Sequence, residues 1–328
     1  MTILHAKIIG TGSAVPERVL TNHDLEQMVD TSDDWITVRT GIKERRVASE
    51  GEFTSTFATR AAQRALEMAG VDPADLDLII CGTVTPDFPF PSTACIVQND
   101  LGATRAAAFD ISAACSGFLY GLSIADKFIK TGTATHILVV GVEVLSRIVD
   151  WTDRNTCCLF GDGAGAVVLA ADKSSSGILS THIYSDGSYW ELLHQPGVGN
   201  RNPASQQLLD SGQVFIKMQG NEVFKLAVRA MEDAAHAALS ANGFSIADLD
   251  YLIPHQANRR IIDAISKRLG LSSDKVFVNV DRYGNTSAAS IPIALDEANR
   301  TGALKRDALV LLDAFGGGLT WASVLMRW

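Results

Sequence analysis

A twenty-residue stretch of this chain occurs twice. Residues 61–80 (AAQRALEMAGVDPADLDLII) align without gaps with residues 234–253 (AAHAALSANGFSIADLDYLI) at an offset of 173, and ten of the twenty positions are identical. A weaker repeat follows at an offset of 170, where Cys115 aligns with Asn285. Self-similarity over such a distance indicates an internally duplicated fold. We therefore expect two similar halves related by a pseudo-twofold axis, with a functional site where their corresponding loops meet.

Strand-like and helix-like segments alternate through both halves. Short, almost wholly apolar runs are typical of strands in a sheet that is covered on both faces, and this alternation predicts an α/β fold. The polar stretch 172–177 has the composition of a loop, so the predicted halves are residues 1–172 and 178–328. The predicted strands are Ile3–Ile9, Leu76–Gly82, His136–Gly141, Ala164–Ala170, Tyr251–Ile253, Ala308–Leu312 and Ala322–Met326, and the predicted helices are Thr54–Ala69, Ser116–Thr131 and Gly220–Ala241.

Composition narrows the class of protein. The 28 Lys and Arg against 37 Asp and Glu give a net charge of −9, which argues against nucleic-acid binding because phosphate contacts need clustered cations. The sequence contains no apolar run long enough to span a membrane, and its first residues lack the pattern of a signal peptide. The five cysteines form no CxxC pair and the histidines no HExxH motif, so we expect neither a metal site nor a disulfide framework. These features predict a cytoplasmic α/β enzyme.

One cysteine lies where a nucleophile is favoured. Cys115 follows a short apolar run and precedes an amphipathic helix that begins near Ser116. The positive end of the helix dipole and the free N–H groups there favour a thiolate, and the small flanking residues leave room for a carbonyl substrate. The alternative is a buried structural cysteine, which is our interpretation of Cys81 and Cys95.

Two polar segments of the second half accompany this cysteine. His255, in LIPHQANRR, follows an apolar strand and precedes a helix, and the repeat equates it with Gly82. Asn285, in YGNTSAAS, lies in a turn before a helix, at the position that the repeat equates with Cys115. Taken alone, His255 could be an ordinary hydrogen-bonding residue and Asn285 a helix cap. Because the loops of a duplicated fold converge, we expect the three residues to form one site.

These three motifs resemble those of a known family. Cys115 in AACSGF, His255 in PHQANRR and Asn285 in YGNTSAAS are similar to the Cys-His-Asn set of the β-ketoacyl-[acyl-carrier-protein] synthase III family, and the resemblance runs through essentially the whole chain. It implies a thiolase-like, five-layered αβαβα fold made from two duplicated halves. It also implies an acyltransferase that initiates fatty acid biosynthesis.

The resemblance implies a reaction in two stages. The Cys115 thiolate attacks a short acyl-CoA and forms an acyl-enzyme. Malonyl-[acyl-carrier-protein] then binds, and His255 and Asn285 donate hydrogen bonds to its thioester oxygen as it loses CO₂. The carbanion attacks the acyl-Cys, and the N–H groups of Cys115 and of Gly317, in the loop 316–318, bind the oxyanion. No cofactor is implied, because CoA enters as the substrate thioester.

Other family positions carry over to this chain as expectations. Trp35 and Arg154 match the pair that sandwiches the CoA adenine. Phe90 matches a residue that reaches across the interface of a homodimer to shape the acyl pocket, so a homodimer is implied. Further CoA contacts are implied for Thr31, Arg39, Gly220 and Asn221.

A basic helix after His255 is a candidate docking surface for the carrier protein. In QANRRIIDAISKRLG, two pairs of cations stand seven or eight residues apart, a spacing that we expect to return to one helical face. Local positive charge can steer an acidic partner despite the negative net charge. The alternative is an ordinary solvated face. The four cations are Arg259, Arg260, Lys267 and Arg268.

Other classes fit the sequence less well. Thiolases use a second cysteine in the C-terminal half, but the last cysteine here is Cys158, and elongating ketoacyl synthases have a histidine where Asn285 stands. The GxG at Gly10 and Gly12 lacks the third glycine of a dinucleotide-binding dehydrogenase, and the intact triad argues against a non-catalytic binding protein. The principal alternative is a related Cys-His-Asn enzyme, either chalcone-synthase-like or a synthase III relative that makes a polyketide starter or signalling molecule.

Overall fold

A computed structural model describes residues 4–174 and 176–328 of the chain. The strands, in chain order, are β1 (His5–Ala14), β2 (Val19–Thr21), β3 (Glu44–Arg46), β4 (Leu78–Gly82), β5 (Ala107–Ile111), β6 (His136–Glu143), β7 (Gly163–Asp172), β8 (Gly177–Ser185), β9 (Leu193–His194), β10 (Lys217–Met218), β11 (Tyr251–Pro254), β12 (Leu309–Gly316) and β13 (Thr320–Arg327). The helices are α1 (Asn22–Glu26), α2 (Asp33–Thr40), α3 (Thr54–Ala69), α4 (Thr93–Leu101), α5 (Gly117–Lys130), α6 (Arg154–Cys157), α7 (Gln206–Asp210), α8 (Gly220–Ala241), α9 (Arg259–Arg268), α10 (Val280–Tyr283) and α11 (Ser290–Arg300).

The two main sheets have the same strand order. The first is β1-β7-β6-β4-β5 and the second is β8-β13-β12-β11. In each sheet the second strand is antiparallel to the first and to the third, and the fourth is parallel to the third. The counterpart of β5 is reduced to a single parallel bridge between Leu252 and Val276. This shared order confirms the duplicated fold that the repeat predicts.

The helices form three layers around these sheets. Helices α3 and α4 cover the outer face of the first sheet, α5 and α11 lie between the sheets, and α8 and α9 cover the outer face of the second. Eight of the eleven residues of α11 are buried, as expected for a helix covered on both sides. The observed order is therefore the predicted αβαβα.

Most predicted segments are confirmed. Helices α3 and α8 have the predicted bounds, and the predicted strands correspond to β1, β4, β6, β7, β11, β12 and β13. The predicted first strand begins at Ile3, which lies outside the described residues, whereas β1 begins at His5. The sequence pattern missed β8, because only its first residues are buried and the rest mixes polar and apolar side chains. The division at residues 172 and 178 stays a prediction.

Each central helix begins against a strand of the other half. A 3-10 turn precedes α5 (Ala114–Ser116) and contacts β12, and a second one precedes α11 (Ser287–Ala289) and contacts β6. The contacts are between backbones: a Cβ on Gly316 would lie 2.6 Å from the backbone nitrogen of Cys115, and one on Gly141 would overlap the carbonyl oxygen of the second turn. The two halves are thus locked together where the candidate site residues lie.

The structure corrects one equivalence drawn from the repeat. Both 3-10 turns begin with a non-glycine residue of positive φ, Ala114 (45°) and Ser287 (47°), which are 173 positions apart. The structural counterpart of Cys115 is therefore Ala288 and not Asn285. The offset of 170 applies further along, because α11 has 11 residues where α5 has 14.

Substitution of Gly141 by alanine tests this packing. The new Cβ would overlap the Ala288 carbonyl, and overpacking of this kind costs about 1–3 kcal/mol of unfolding free energy. We expect Gly141→Ala to lower the urea midpoint and, because the turn next to Asn285 must move, to lose activity as well. Gly187→Ala is the matched control, since a Cβ there meets nothing within 4 Å. Equal midpoints for the two variants would contradict this account.

Candidate active site

A cavity of about 780 Å³ brings the three predicted residues together. Cys115, His255 and Asn285 all line it, and they are 7%, 3% and 8% exposed. The cavity also reaches α2 and the start of α8, where more exposed residues line it. The three reactive side chains are therefore nearly dry, although the cavity that they share extends to the surface.

The position of His255 is determined by β12 and by α11. Its backbone N–H donates to the carbonyl oxygen of Asp313 (2.8 Å), which extends the pairing of β11 with β12. On the side chain, Nδ1 lies 2.6 Å from the Ser290 hydroxyl, which also accepts the backbone N–H of Gln256 (3.3 Å). Because the hydroxyl oxygen already accepts from Gln256, we expect its proton to be donated to Nδ1 and the imidazole proton to lie on Nε2.

The protonation of His255 follows from its burial. Desolvation lowers the pKa of the imidazole to about 3. The ring is therefore neutral at physiological pH, and with its proton on Nε2 it offers a hydrogen-bond donor to the cavity without a charge.

Asn285 is oriented in a similar way. The backbone N–H of Ser287 donates to Asn285 Oδ1 (2.8 Å), so the amide oxygen is engaged and Nδ2 remains as a donor. Its backbone is held at both ends, since its N–H donates to the carbonyl of Leu159 (2.8 Å) and its carbonyl accepts the N–H of Gly161 (3.1 Å). The amide is thus held by a turn of its own half and a loop of the other.

Cys115 is a thiol rather than the expected thiolate. Its pKa is raised to about 12, chiefly by burial and also by the Glu143 carboxylate, although the nearby Ser287 hydroxyl offsets part of the rise. The expectation of a thiolate is wrong because the cysteine lies within a tight 3-10 turn, where the N–H groups of Ser116 and Gly117 donate to backbone carbonyls. Deprotonation therefore needs a partner that accepts the proton.

Comparison with known proteins identifies the family. The family described as 3-Oxoacyl-[acyl-carrier-protein (ACP)] synthase III matches residues 109–187, and its C-terminal part matches residues 239–328. The Beta-ketoacyl-[acyl-carrier-protein] synthase III of Caldanaerobacter subterraneus subsp. tengcongensis is 56% identical over 98% of both chains, and that of Natranaerobius thermophilus is 56% identical over 99% of both. The chain belongs to the β-ketoacyl-[acyl-carrier-protein] synthase III family.

A solved structure of the family supports the fold. The crystal structure of 3-oxoacyl-[acyl-carrier-protein] synthase III from Aquifex aeolicus superposes with a TM-score of 0.92 at 54% identity, covering 98% of this chain and 100% of that one. The thiolase-like fold and the assignment to the acyltransferase class are thus confirmed. The individual roles of the site residues remain predictions.

Four of the six predicted CoA residues line the exposed part of the cavity, whereas Arg154 and Thr31 are not among its lining residues. The guanidinium carbons of Arg39 and Arg154 lie 4.4 Å and 5.0 Å from the centroid of the Trp35 ring. Arg154 also donates to the backbone carbonyl of Asp30 (3.0 Å). Because this guanidinium rests against the indole, an adenine would have to displace it before stacking between the two groups. Trp35, Arg39, Gly220 and Asn221 line the cavity, and the buried Thr31 hydroxyl has no hydrogen-bond partner.

Gly317 and Phe90 occupy different environments. A Cβ on Gly317 would lie 2.9 Å from the carbonyl oxygen of Leu193 and 3.7 Å from Cβ of Ala114, so this loop is next to the turn that carries Cys115. Phe90 is 86% exposed and is not among the described residues that line the cavity of its own chain. An oxyanion role for Gly317 and an intersubunit role for Phe90 stay predictions.

The structure corrects the expected arrangement of the basic helix. Arg259 and Arg268 are nine residues apart, which is about 180° around an α-helix, so they lie on opposite sides of α9. Arg259 pairs with Asp263 of the same helix (2.7 Å), and Arg268 pairs with Glu232 of α8. The four cations therefore do not share one face.

Two of these cations do share a side. Arg260 and Lys267 are seven residues apart, which is about two turns, and both are exposed. Arg260 lines the cavity, and its guanidinium carbon lies 5.7 Å from the centroid of the Phe224 ring. Carrier-protein docking by α9 stays a prediction, and these two residues are the better placed for it.

Three polar residues of the site were missed by the sequence analysis. Ser287 and Ser290 belong to the same NTSAAS motif as Asn285 and contact the reactive residues. Glu143 ends the apolar strand HILVVGVE and is completely buried. A single carboxylate in such a strand was the available signal, since acidic residues are rarely buried without a specific role.

The described residues contain neither a metal-binding cluster nor a membrane-spanning helix. Across residues 4–174 and 176–328, His, Cys, Asp and Glu side chains form no group of three that could hold a metal ion. Within the same ranges, every helix is too short or too polar to cross a membrane.

The state of His255 can be measured by ¹⁵N NMR. We expect a neutral ring with its proton on Nε2 that does not titrate between about pH 5 and 8. Because the ordinary pKa of 6.5 is lowered on folding, the unfolded chain takes up a proton that the folded chain does not. The free energy of unfolding should therefore fall as the pH drops below about 6.5.

Ser290 is expected to fix this tautomer. Ser290→Ala should move proton density to Nδ1 and slow decarboxylation of a malonyl thioester about tenfold, the loss of one hydrogen bond of about 1.4 kcal/mol. Ser290→Thr keeps the hydroxyl and is the matched control. An unchanged ¹⁵N spectrum in Ser290→Ala would show that another group sets the tautomer.

Proposed function

We propose that this protein condenses a short acyl-CoA primer with malonyl-[acyl-carrier-protein], giving a 3-oxoacyl-[acyl-carrier-protein], CO₂ and CoA. The observation that carries the proposal is the convergence of a thiol, a neutral imidazole and an amide in one buried cavity. A nucleophile beside two uncharged donors suits a reaction that forms a covalent acyl-enzyme and then stabilises an enolate. The family's place at the start of fatty acid synthesis agrees with this reaction.

The first stage is transfer of the acyl group to Cys115. Its sulfur forms a bond to the thioester carbonyl carbon, and the bond from that carbon to the CoA sulfur breaks. We assign CoA binding to the exposed part of the cavity, with the adenine between Trp35 and Arg154 and further contacts from Thr31, Arg39, Gly220 and Asn221. CoA enters as a substrate, and no other cofactor is proposed.

The second stage uses the two donors. His255, through Nε2–H, and Asn285, through Nδ2–H, donate to the malonyl thioester oxygen, which gains negative charge as CO₂ departs. A neutral imidazole suits this role because it donates without being a strong acid. The enolate carbon attacks the acyl-Cys carbonyl, and the backbone N–H groups of Cys115 and Gly317 stabilise the resulting oxyanion.

The partners follow from the same scheme. An acidic carrier protein would dock near Arg260 and Lys267, with Arg259 and Arg268 at the sides of the same helix. We propose a homodimer in which Phe90 of one protomer shapes the acyl pocket of the other. The Phe90 side chain is largely exposed in the single chain, and contact with a second protomer would cover this apolar surface. We also propose that the protein acts in the cytoplasm.

Intact-mass spectrometry tests the acyl-enzyme. After mixing with a panel of acyl-CoA primers, the protein should gain the mass of one acyl group, and Cys115→Ala should gain none. Asn285→Ala should still acylate but should decarboxylate malonyl-[acyl-carrier-protein] about 10²-fold more slowly, because one donor to the developing oxyanion is lost. Absence of an adduct with every primer would refute the proposed function, and normal decarboxylation by Asn285→Ala would refute the role of that residue.

Steady-state kinetics separate the two binding surfaces. Trp35→Ala should raise the KM for acyl-CoA about tenfold with little change for the carrier protein, because stacking on an indole contributes about 1–3 kcal/mol. Arg260→Glu should raise the KM for malonyl-[acyl-carrier-protein] instead, and more strongly at low salt. Arg229→Glu, on α8 but away from the cavity, is the charge-matched control. Equal effects of Arg260→Glu and Arg229→Glu would argue against specific docking on α9.

A further inference from the structure

We propose that Glu143 is the proton acceptor for Cys115, acting through the Ser287 hydroxyl, and that it stores the thiol proton while Cys115 carries the acyl group. This inference rests on the proposed function, because it concerns the acylation of Cys115. It gives a role to a buried carboxylate that the condensation scheme leaves unused.

Glu143 is surrounded by hydrogen-bond donors. It is 0% exposed at the end of β6, and its carboxylate accepts from the hydroxyl of Thr85 (2.6 Å), the backbone N–H of Val84 (3.1 Å) and the hydroxyl of Thr83 (3.3 Å). From the other half of the chain it accepts the Ser287 hydroxyl (3.1 Å). Such a shell favours an ionised carboxylate, which accepts and does not donate.

The directions of these hydrogen bonds are fixed by the backbone. The N–H of Val144 donates to the Thr85 hydroxyl oxygen (2.9 Å), and the N–H of Thr85 donates to the Thr83 hydroxyl oxygen (3.1 Å). Each hydroxyl therefore has its proton free to point at Glu143. The carboxylate is the common acceptor of the network.

The environment of the Glu143 carboxylate favours binding of a proton. Among the ion pairs of residues 4–174 and 176–328, none includes Glu143, so its charge is balanced by hydrogen bonds alone. Burial raises its pKa to about 7, even though its four hydrogen-bond donors act to lower it. A base with a pKa near the working pH is effective, because it is ionised yet still binds a proton.

Ser287 connects this base to the nucleophile. Its turn contacts the turn of Cys115, its hydroxyl donates to Glu143 (3.1 Å), and the same hydroxyl is near enough to the thiol to lower the pKa of Cys115. Ser287 adopts φ of 47°, a left-handed conformation that is unfavourable for a residue other than glycine. The backbone N–H of Ser287 also donates to the Asn285 side chain. The strained turn therefore positions Asn285 as well as placing the Ser287 hydroxyl near Cys115.

The proton transfer balances over the whole cycle. As the sulfur of Cys115 bonds to the acyl carbon, the thiol proton passes to Ser287 Oγ and the Ser287 hydroxyl proton passes to Glu143. The departing CoA thiolate takes its proton from water. After condensation, Cys115 leaves the tetrahedral intermediate as a thiolate, and the stored proton returns to it from Glu143 by the same path.

His255 is a poorer acceptor for this proton. Its Nδ1 is engaged by Ser290, and its Nε2 carries the proton that the second stage uses. Burial also lowers the pKa of its imidazole to about 3, so it binds a proton weakly. A division of labour follows, in which Glu143 serves acylation and His255 serves decarboxylation.

Single-turnover acylation tests the inference. The rate of acyl-Cys115 formation is followed by rapid-quench intact mass from about pH 5.5 to 9, and in the wild type it should rise to a plateau with a midpoint near 7. Glu143→Gln should acylate about 10²-fold more slowly at neutral pH and lose this midpoint, and Ser287→Ala should behave in the same way. The double variant should be no slower than the slower single variant, because the two residues act in one path.

Two further variants distinguish a loss of the proton acceptor from a general loss of stability. Thr85→Val keeps the acid but removes a hydrogen bond that lowers the pKa of Glu143, so its midpoint should move to higher pH. Asp126→Asn changes another buried acid, one that pairs with Lys127 and Lys130 in α5, and should lose stability but keep the wild-type acylation rate.

The outcomes separate the inference from the proposed function. Wild-type rate and midpoint in Glu143→Gln, or an unmoved midpoint in Thr85→Val, would overturn the role of Glu143 while leaving the acyl-enzyme intact. Absence of any adduct in the wild type would instead overturn the proposed function itself.

Discussion

The halves of this protein meet through backbone contacts that leave no room for side chains. Gly316 of β12 touches the turn of Cys115, and Gly141 of β6 touches the carbonyl of Ala288 in the turn after Asn285. The first turn of each central helix therefore has a fixed position against a strand of the other half. Because backbone contacts are stiff and interiors are close-packed, the nucleophile and the amide are held in place by the core itself.

This close contact also determines the chemistry. It removes water from the reactive groups, so that Cys115 is a thiol with a pKa of about 12 and His255 is neutral. A buried hydroxyl lies beside each group: that of Ser290 contacts His255, and that of Ser287, next to the turn of Cys115, donates to Glu143. In such a dry site, uncharged donors are effective because water does not compete with them.

The sequence was sufficient for the fold and for the reactive triad, because both depend on repeated patterns and short motifs. Contacts between residues far apart in the chain could not be predicted from the sequence. The hydrogen bond from Ser287 to Glu143 spans 144 positions, and the burial that makes Cys115 a thiol comes from the other half. The equivalence of Cys115 and Asn285 was wrong because identities alone did not locate the three residues by which the central helices differ. On α9, the pairing of Arg268 with α8 likewise depends on tertiary packing.

In the proposed reaction, the second stage proceeds through uncharged donors in a desolvated site. The most direct test is the pH dependence of malonyl-thioester decarboxylation by the enzyme already acylated on Cys115, measured in a single turnover as CO₂ release from about pH 5 to 8.5. A neutral His255 predicts a rate that is constant over this range, because its pKa of about 3 lies well below it. A rate that falls as the pH rises through about 6.5, the ordinary pKa of an imidazolium, would contradict the account.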